Sequence, residues 1–517
     1  MNNHRTQSLT RAVLVFGSLV LLNFISVRIF TRFDLTKQKV YTLSDASKAL
    51  VRNLDDRITV KAYFTEDLPA PYNNNRRATL DILNEYRAYA GGNLHFEFIN
   101  PEGTKGEEET RKQGIPPVEV QVINNDKLEV KRANLGVVLM YEDRKETLPV
   151  VQNLSSLEYD LSSAIKRLTQ RTKKRIGYTT GHGEPAVAQL QRANQELSQQ
   201  YEMAPVDLAA ANATVPGDLA ALLVISPTTK FSDTAKYALD QYVMRGGKVA
   251  FLLNKMTANL NSQYRFAQPV ELGLEDLLEN YGLRINGDLV RDKQCANISV
   301  VQQQGPFQIQ SQVPFVLLPN VSDFNKSNAI VKDLQNLIFY FVSSVDTSLA
   351  SGKGLRAEVL ARSSKGSGRQ IGFAMIDPFQ KPQPGDFSES GIPLAAVVEG
   401  SFKSYFQGKP MTPVAATSPE TRILLVGDGD FMKDEFLTNK SNLTFFQNIA
   451  DYLADDAGLI TIRSKNVNVP PLEQIDDGSK KLWKYLNLFA PPLLIIGYGL
   501  FRWRRRISLR KSLEAAL

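Results

Sequence analysis

Long apolar stretches lie close to both ends of the chain, and amphipathic stretches fill the region between them. Residues 12–31 and 482–503 contain few strongly polar positions, and Trp483 and Trp503 stand near the two ends of the second stretch. A helix of about twenty apolar residues spans the ~30 Å hydrocarbon core of a bilayer, and tryptophan is enriched where such a helix meets water. The pattern therefore predicts two transmembrane helices, one at each end.

A cleaved signal peptide is the alternative interpretation of residues 12–31. Signal peptides have a shorter apolar core, which is followed by small residues at the cleavage site. Here the apolar run is longer, and it is followed by Arg28, Arg32 and Phe33. The sequence therefore favours an uncleaved anchor.

The basic residues predict the orientation of the chain. The second apolar stretch ends in a cluster formed by Arg502, Arg504, Arg505 and Arg506. Basic residues mark the cytoplasmic side of a membrane helix, so residues 504–517 are expected to be a cytoplasmic tail. Two spans then place residues 1–11 in the cytoplasm as well, and the main body in the periplasm at the bacterial inner membrane. Basic residues also follow the first span, but charges in long translocated regions have little effect.

Residues 34–168 alternate short strands with helices. The predicted strands are 58–64, 94–99, 118–123, 135–141 and 146–151, and the predicted helices are 76–89 and 153–170. A charged stretch and then Pro116 and Pro117 precede the third strand. This order resembles a thioredoxin-like domain, in which Pro116 or Pro117 would be the cis-proline. The domain lacks a Cys-x-x-Cys pair, so binding or packing is expected of it and redox chemistry is not.

Residues 173–465 alternate strands and helices in the manner of a doubly wound α/β sheet. The predicted strands are 175–180, 219–225, 248–253, 371–376 and 423–426, and the predicted helices are 186–201 and 232–245. The strands between 284 and 356 alternate polar and apolar residues, which predicts a β-rich insertion. Residues 466–481 combine prolines and charges without apolar periodicity, which is typical of a linker.

Composition narrows the function classes. Hydrophobic residues make up 43% of the 517 positions and the formal charge is +7, a small excess that is partly concentrated at the carboxyl terminus. Proteins that bind nucleic acid usually carry a basic face on a whole domain, so nucleic acid is not an expected partner. With Cys295 as the single cysteine and only three histidines, an internal disulfide and every multi-cysteine metal site are excluded.

Several polar residues follow the predicted strands of the α/β region. Ligands of open α/β sheets bind at the carboxyl ends of the strands. This rule selects Ser226 and, as a candidate ligand cleft, His182, Glu184, Asp377, Asp428 and Asp430.

Each of these candidates also has a purely structural interpretation. His182 and Glu184 could be a general base and the acid that orients it, or Glu184 could cap a helix that begins at Pro185. Asp428 and Asp430 could hold a cation, but such a Gly-Asp-Gly-Asp sequence is more often a turn. Cys295 is expected to be an inert thiol. The structural interpretation is favoured for all three, so no catalytic, metal or cofactor site is predicted.

Nucleotide hydrolysis is excluded on sequence. The phosphate-binding pattern G-x-x-x-x-G-K-[ST] is absent, and the segment 351–354 lacks both the first glycine and the final hydroxyl residue. Any ATP-driven work must therefore come from another subunit.

Short segments along the whole chain carry a family resemblance. They are Arg32–Thr36, Tyr41–Ser44, Gly181–Glu184, Tyr237–Lys248, Gly427–Phe431 and the apolar stretch with its arginine tail. Together they resemble the GldG family, the auxiliary membrane component of the ABC transporter linked to gliding motility in Bacteroidota. The resemblance implies a separate ATPase and a permease as partners, with envelope or periplasmic proteins as further contacts.

The same resemblance bears on the fold and on catalysis. The middle region resembles the glutamine-amidotransferase-like, flavodoxin-like α/β domain also found in intraflagellar-transport proteins. The catalytic cysteine of that fold has no counterpart here, so a non-catalytic accessory subunit is expected. Two alternatives remain: a hydrolase or amidotransferase-like enzyme that uses His182 and Glu184, and a glycan-binding or scaffold protein that works without a transporter.

Overall fold

The fold is taken from a computed structural model of the chain. It describes residues 14–15, 17–18, 42–66, 68, 72–124, 127–152, 154, 156–260, 265–304, 307–411, 413–437, 439–455, 457–464 and 477–514. Two compact units are present, Met1–Asn468 and Val469–Leu517. Most of the predicted first span and much of the predicted linker 466–481 lie outside the described residues.

The amino-terminal part of the first unit is built on a mixed sheet of four strands. Its elements are α1 (Asp45–Arg52), β1 (Ile58–Phe64), α2 (Tyr72–Tyr89), β2 (Leu94–Ile99), α3 (Gly103–Lys112), β3 (Val118–Asn124), β4 (Lys127–Ala133), β5 (Leu135–Tyr141), β6 (Arg144–Leu148) and α4 (Leu157–Thr169). The strand order is β2-β1-β5-β6, with β1 parallel to β2 and antiparallel to β5. Apolar residues of these strands and of α1, α2 and α4 form one core.

The strand that follows the two prolines does not join this sheet. Instead β3 pairs with β4 in a separate two-stranded hairpin, and no proline directly precedes β5. The sequence pattern identified β3 but missed its partner β4, which follows it directly, because charged residues outnumber apolar ones in Lys127–Ala133. The thioredoxin-like assignment stays a prediction.

A sheet of eight strands organises the rest of the first unit. Its strands are β7 (Arg175–Thr180), β8 (Glu202–Asp207), β9 (Leu219–Ile225), β10 (Val249–Leu252), β17 (Asp323–Phe324), β20 (Arg356–Arg362), β23 (Pro393–Lys403) and β24 (Thr417–Val426). The spatial order is β8-β7-β9-β10-β24-β23-β20-β17. The first five strands run parallel to one another, and β23, β20 and β17 each run antiparallel to the strand before them in this order.

Both faces of this sheet are buried. Successive residues of β9 alternate between two cores: Leu223 belongs to one, and Leu222 and Val224 belong to the other. Burial on both faces explains why β9 and β10 are continuous apolar runs rather than alternating ones. The helices of this region are α5 (Gln191–Gln200), α6 (Asp233–Met244), α9 (Lys440–Leu453) and α10 (Ala457–Ser464).

The segment between β10 and β24 is richer in β structure than the prediction for 284–356. It contains β11 (Met256–Ala258), β12 (Phe266–Pro269), α7 (Glu275–Asn280), β13 (Arg284–Ile285), β14 (Asp288–Asp292), β15 (Cys295–Gln304), β16 (Phe307–Val321), β18 (Leu337–Ile338), β19 (Val345–Asp346), α8 (Ser348–Ser351), β21 (Ser367–Ile371) and β22 (Ala374–Met375). Three further strands of the segment, β17, β20 and β23, extend the eight-stranded sheet, which is called here the central sheet.

The predicted strand 371–376 is wrong. The chain turns at Gly372, which has a φ of +76°; before it β21 pairs with β14, and after it β22 pairs with β12. Neither strand belongs to the central sheet. A positive φ at glycine interrupts a strand at no steric cost, which hydropathy alone does not reveal.

The carboxyl-terminal unit is described as one helix, α11 (Asp477–Glu514). Across the residues that the structure describes, no helix combines the length and apolarity required to cross a membrane. The predicted span 482–503 is therefore not supported; Lys484, Asn487, Pro491 and Pro492 make this stretch less apolar.

Candidate functional site

The carboxyl ends of β7, β9, β10 and β24 form one edge of the central sheet, called here the strand-end edge. Numbered in chain order, the five parallel strands lie in the order 2-1-3-4-5, which puts the reversal of strand order between β7 and β9. Ligands of doubly wound sheets bind at such a reversal. The candidates His182, Glu184, Asp428 and Asp430 all follow strands that end at this edge.

His182 and Glu184 do not form a base with its orienting acid. One carboxylate oxygen of Glu184, Oε2, accepts a hydrogen bond from the backbone N–H of His182 at 2.7 Å. The imidazole stacks on the Phe231 ring with a centroid distance of 3.9 Å, and it is 5% exposed. Its Nδ1 has no hydrogen-bond partner among the described residues. Burial lowers the pKa of His182, so the ring is neutral at neutral pH.

The loops after β7 and β9 are joined directly. The carbonyl oxygen of His182 accepts hydrogen bonds from the backbone N–H groups of Thr228, at 2.9 Å, and Thr229, at 3.0 Å. The Thr228 hydroxyl donates to the Gly183 carbonyl at 3.2 Å. Gly183 has a φ of +76°, and a Cβ atom there would lie 2.1 Å from Thr228 Oγ1. Direct hydrogen bonds therefore join these two loops at the reversal of strand order.

Asp428 is fully buried, and its two oxygens are occupied by backbone donors. Oδ1 accepts from the N–H groups of Asp430, at 2.6 Å, and Phe431, at 3.3 Å, while Oδ2 accepts from that of Tyr340 at 2.7 Å. Burial and the neighbouring Asp430 carboxylate raise the pKa of Asp428 to about 8, although the three N–H donors oppose the shift. These contacts attach Tyr340, which belongs to the segment between β10 and β24 (called here the inserted segment), to the loop after β24.

Asp430 lies between a serine and a lysine. Its Oδ1 accepts from the Ser226 hydroxyl at 2.7 Å and pairs with Lys433 Nζ at 2.6 Å. Asn254, which follows β10, donates to Ser226 Oγ at 2.8 Å and accepts from the Gly429 N–H at 2.7 Å. Three strand-end loops are thus connected by side-chain hydrogen bonds.

Ser226 has an unusual backbone conformation. Its φ is +44°, which a residue with a side chain adopts at a steric cost, and it is only 2% exposed. The hydroxyl is held by Asp430 and Asn254, so it is not presented to solvent. Asn254 and Lys433 were missed by the sequence analysis. The strand-end rule could have selected Asn254, which directly follows the apolar run of β10, and the i, i+3 spacing from Asp430 could have suggested Lys433.

Asp377 does not belong to this edge, because the strand that was predicted to place it there is absent. It follows β22 in the inserted segment, where it pairs with Arg265 at 3.4 Å and lines a small pocket with Arg291 and Asp386. Within the described ranges, no group of three or more His, Cys, Asp and Glu side chains is arranged to hold a metal ion. Cys295 is half-buried, and burial raises the pKa of its thiol.

Comparisons with known proteins cover almost the whole chain. A family model described as an ABC-type uncharacterized transport system matches residues 173–456, and a domain of unknown function matches residues 37–140. A protein of Borreliella burgdorferi, described only as uncharacterized, is 24% identical over 97% of this chain and 97% of its own length.

Solved structures give only weak matches. The amino-terminal domain of mmIFT52 has a TM-score of 0.33 and 13% identity, over 54% of this chain and 97% of that domain. An exo-beta-1,4-mannosidase of an Opitutaceae bacterium has a TM-score of 0.22 and 11% identity, over 77% of this chain and 49% of the enzyme. These values carry no argument about function. The family match, in contrast, spans more than half of the sequence: this chain belongs to the family of auxiliary components of an ABC-type transport system that is itself uncharacterized.

Proposed function

We propose that the chain is a non-catalytic accessory subunit of an ABC transporter. The family match over residues 173–456, which contain the central sheet, is the observation that carries this proposal. In the proposed role, the chain supplies a folded body to the transporter, and a separate permease and ATPase bind to it. The link to gliding motility rests on the resemblance to the GldG family alone and is part of the proposal.

The geometry of the strand-end edge supports a role without catalysis. A general base needs an accessible ring nitrogen and a group that orients it. His182 is buried, and Glu184 contacts its backbone rather than its ring. The Ser226 hydroxyl and both Asp428 oxygens are engaged by other protein groups. This arrangement favours the structural interpretation over the hydrolase or amidotransferase-like alternative.

A position at the bacterial inner membrane is also part of the proposal. What supports it is the exposure of apolar side chains on α11, where Leu493, Leu494 and Ile495 are each more than 60% exposed. Exposed apolar surface of this extent is unfavourable in water and is often covered by lipid or by another protein. The arginine cluster 502–506 follows directly and suits the cytoplasmic side of a bilayer.

The test is affinity purification of the tagged full-length chain from its native membranes in a mild detergent. We expect one ATPase and one permease to co-purify in a constant ratio to the tagged chain. An unrelated two-span membrane protein with the same tag is the matched control. If the permease and ATPase stay together but leave the tagged chain in several mild detergents, the accessory role is wrong.

The same preparation addresses catalysis. The chain purified away from its partners should not hydrolyse ATP, because its sequence has no phosphate-binding loop. The complex should hydrolyse ATP, and this activity should disappear when the ATPase subunit carries a substitution in its own phosphate-binding lysine. ATP turnover that follows the isolated chain through size exclusion would contradict the proposal.

A further inference from the structure

A two-stranded ribbon extends from the inserted segment. Residues 297–304 of β15 pair with residues 307–314 of β16 in a continuous antiparallel register, from Asn297 opposite Pro314 to Gln304 opposite Phe307. We call this ribbon the arm. The third strand of its sheet, β18, pairs with β16 only at Asn320 and Val321, beyond the arm. Within the described residues, both edges of the arm therefore lack a neighbouring strand.

The arm has two different faces. Ile298 and Val313 lie opposite each other on one face and are half-buried, and Val300 continues this face outward. The other face carries Ser299, Gln310 and Gln312, which are exposed. Val301, on this second face, is 62% exposed, and Ile309, on the first face, is 44% exposed. The arm therefore presents apolar side chains to solvent beside a row of amides.

The arm is also without charge. Residues 296–321 contain no Asp, Glu, Lys or Arg, whereas charged residues make up 22% of the whole chain. The hairpin of β3 and β4 is the natural comparison, because it is also a two-stranded ribbon with an exposed valine, Val130 at 58%. That hairpin carries Glu119, Lys131 and Arg132. Charged side chains on edge strands are a common protection against pairing with other chains, and the arm has none.

We propose that the arm is a self-association surface, in which the β15 edges of two copies pair into a four-stranded antiparallel sheet. A two-stranded ribbon is marginally stable in water, and two further strands would stabilise it. Residues 41–480, which contain the arm, have more acidic than basic residues, so two copies of this part repel each other and an uncharged edge is where they approach at the least electrostatic cost.

The choice of the β15 edge follows from the sequence. The β16 side contains Pro314, which cannot donate a backbone hydrogen bond, whereas residues 297–304 contain no proline. Pairing of identical edges about a two-fold axis makes the same contacts on both copies, as in most homodimers. A strongly acidic or basic partner is disfavoured because the arm offers no charge to match it.

The experiment measures the oligomeric state of the full-length chain in mild detergent by light scattering. We expect a dimer for the native sequence and a monomer for Val301→Lys. The lysines of the two copies would lie near each other at the centre of the paired edge, and their like charges would repel. Val130→Lys is the matched control: it places the same charge on the other ribbon and should leave the dimer intact. Melting temperatures of both variants should stay close to that of the native chain, because both positions are exposed.

A cross-linking measurement locates the contact. In a Cys295→Ser background, Val301→Cys should form a disulfide-linked dimer on mild oxidation, and Val130→Cys should not. A native chain that is monomeric at all concentrations would overturn the proposal. So would a dimer that Val301→Lys leaves intact, or a cysteine at 301 that cross-links only to a different protein.

Discussion

Gly183 is a residue at the strand-end edge with little tolerance for change. Its φ of +76° is unfavourable for any other residue, and Thr228 Oγ1 occupies the position that a Cβ atom would need. His182 next to it packs on Phe231 through its ring, and its carbonyl connects the loops after β7 and β9. The conformation of this loop thus depends more on backbone geometry than on the chemistry of the imidazole.

We expect His182→Phe to fold as well as the native chain and to keep transporter-dependent function. Phenylalanine preserves the stack on Phe231 and removes a buried ring nitrogen that lacks a partner. The pKa of His182 is lowered, so the native chain loses stability as pH falls below about 6.5, where the unfolded state takes up a proton. His182→Phe should not show this loss. Thermal unfolding at pH 5 and pH 7.5, together with a transport assay, tests both points.

Gly183→Ala serves as the contrasting variant. It should destabilise the fold by more than about 1 kcal/mol, because it combines an unfavourable φ with a steric overlap. A catalytic site predicts a different result, in which His182→Phe is stable but inactive. That result would refute the non-catalytic interpretation.

Asp428→Asn should change the pH dependence of stability. The raised pKa of Asp428 means that the folded state keeps a proton that the unfolded state loses above about pH 4. This contribution is complete below about pH 4 and is lost as pH rises toward about 8. The variant should therefore show a shallower decline of the unfolding free energy between pH 5 and 7, by up to about 1 kcal/mol per pH unit. Urea unfolding at three pH values measures the slope; an unchanged slope would show that Asp428 is ionised in the folded state.

Among the secondary-structure elements, α10 has a buried ionic attachment. Arg463 of α10 pairs with Asp451 of α9 at 2.9 Å and donates to Asn448 at 2.6 Å and to the Tyr159 hydroxyl of α4 at 2.9 Å. Arg463 is 6% exposed and Asp451 only 1%. The guanidinium thereby joins helices from the amino-terminal part and from the central-sheet part.

Arg463→Ala should cost about 3–5 kcal/mol, because it leaves the Asp451 carboxylate buried without its cation. Replacing both partners, as Arg463→Met with Asp451→Leu, should recover most of this loss. The exposed pair Arg356 and Glu420 provides the control, and Arg356→Ala should cost no more than about 1 kcal/mol. The urea unfolding midpoints of the native chain, the two single variants and the double variant measure these losses of stability. A loss for Arg463→Ala as small as that for Arg356→Ala would contradict the argument.

Local sequence pattern was informative where a strand has a clear apolar or alternating pattern of its own, or where a helix is capped by its own residues. Strands β1, β2, β7 and β9 have the predicted bounds, and Ser232 caps α6 as its sequence suggested. The pattern failed where charged residues obscure a strand, as in β4, the partner of β3, and where the backbone turns within an apolar run, as at Gly372. The strand-end rule found the right edge for His182 and Asp428, because parallel strands share one carboxyl edge. It could not show that Thr228 joins the loops after β7 and β9, because loop conformation is not periodic.

At the scale of the whole molecule, the proposed membrane topology is the most direct point to test. In a Cys295→Ser background, single cysteines at Lys131 and Ser508 can be treated with an impermeant maleimide in cells with an intact inner membrane. We expect labelling at 131 only, and labelling at both positions after permeabilisation, because the arginine cluster 502–506 assigns the tail to the cytoplasm. Labelling at 508 but not at 131 would reverse the topology.

The neighbours of β10 have a consequence for how the protein must fold. Val249 pairs with Ile423, although residues 253–416 lie between these two adjacent strands in the chain. Closing so long a loop costs chain entropy and slows folding, because this entropy is lost before the contacts between the two strands form. During synthesis or export from the amino end, β7 to β10 emerge well before β24 and expose an apolar edge meanwhile. A chain of this design should depend on a chaperone in the compartment where it folds, and truncations between β10 and β24 should aggregate rather than yield a smaller stable domain.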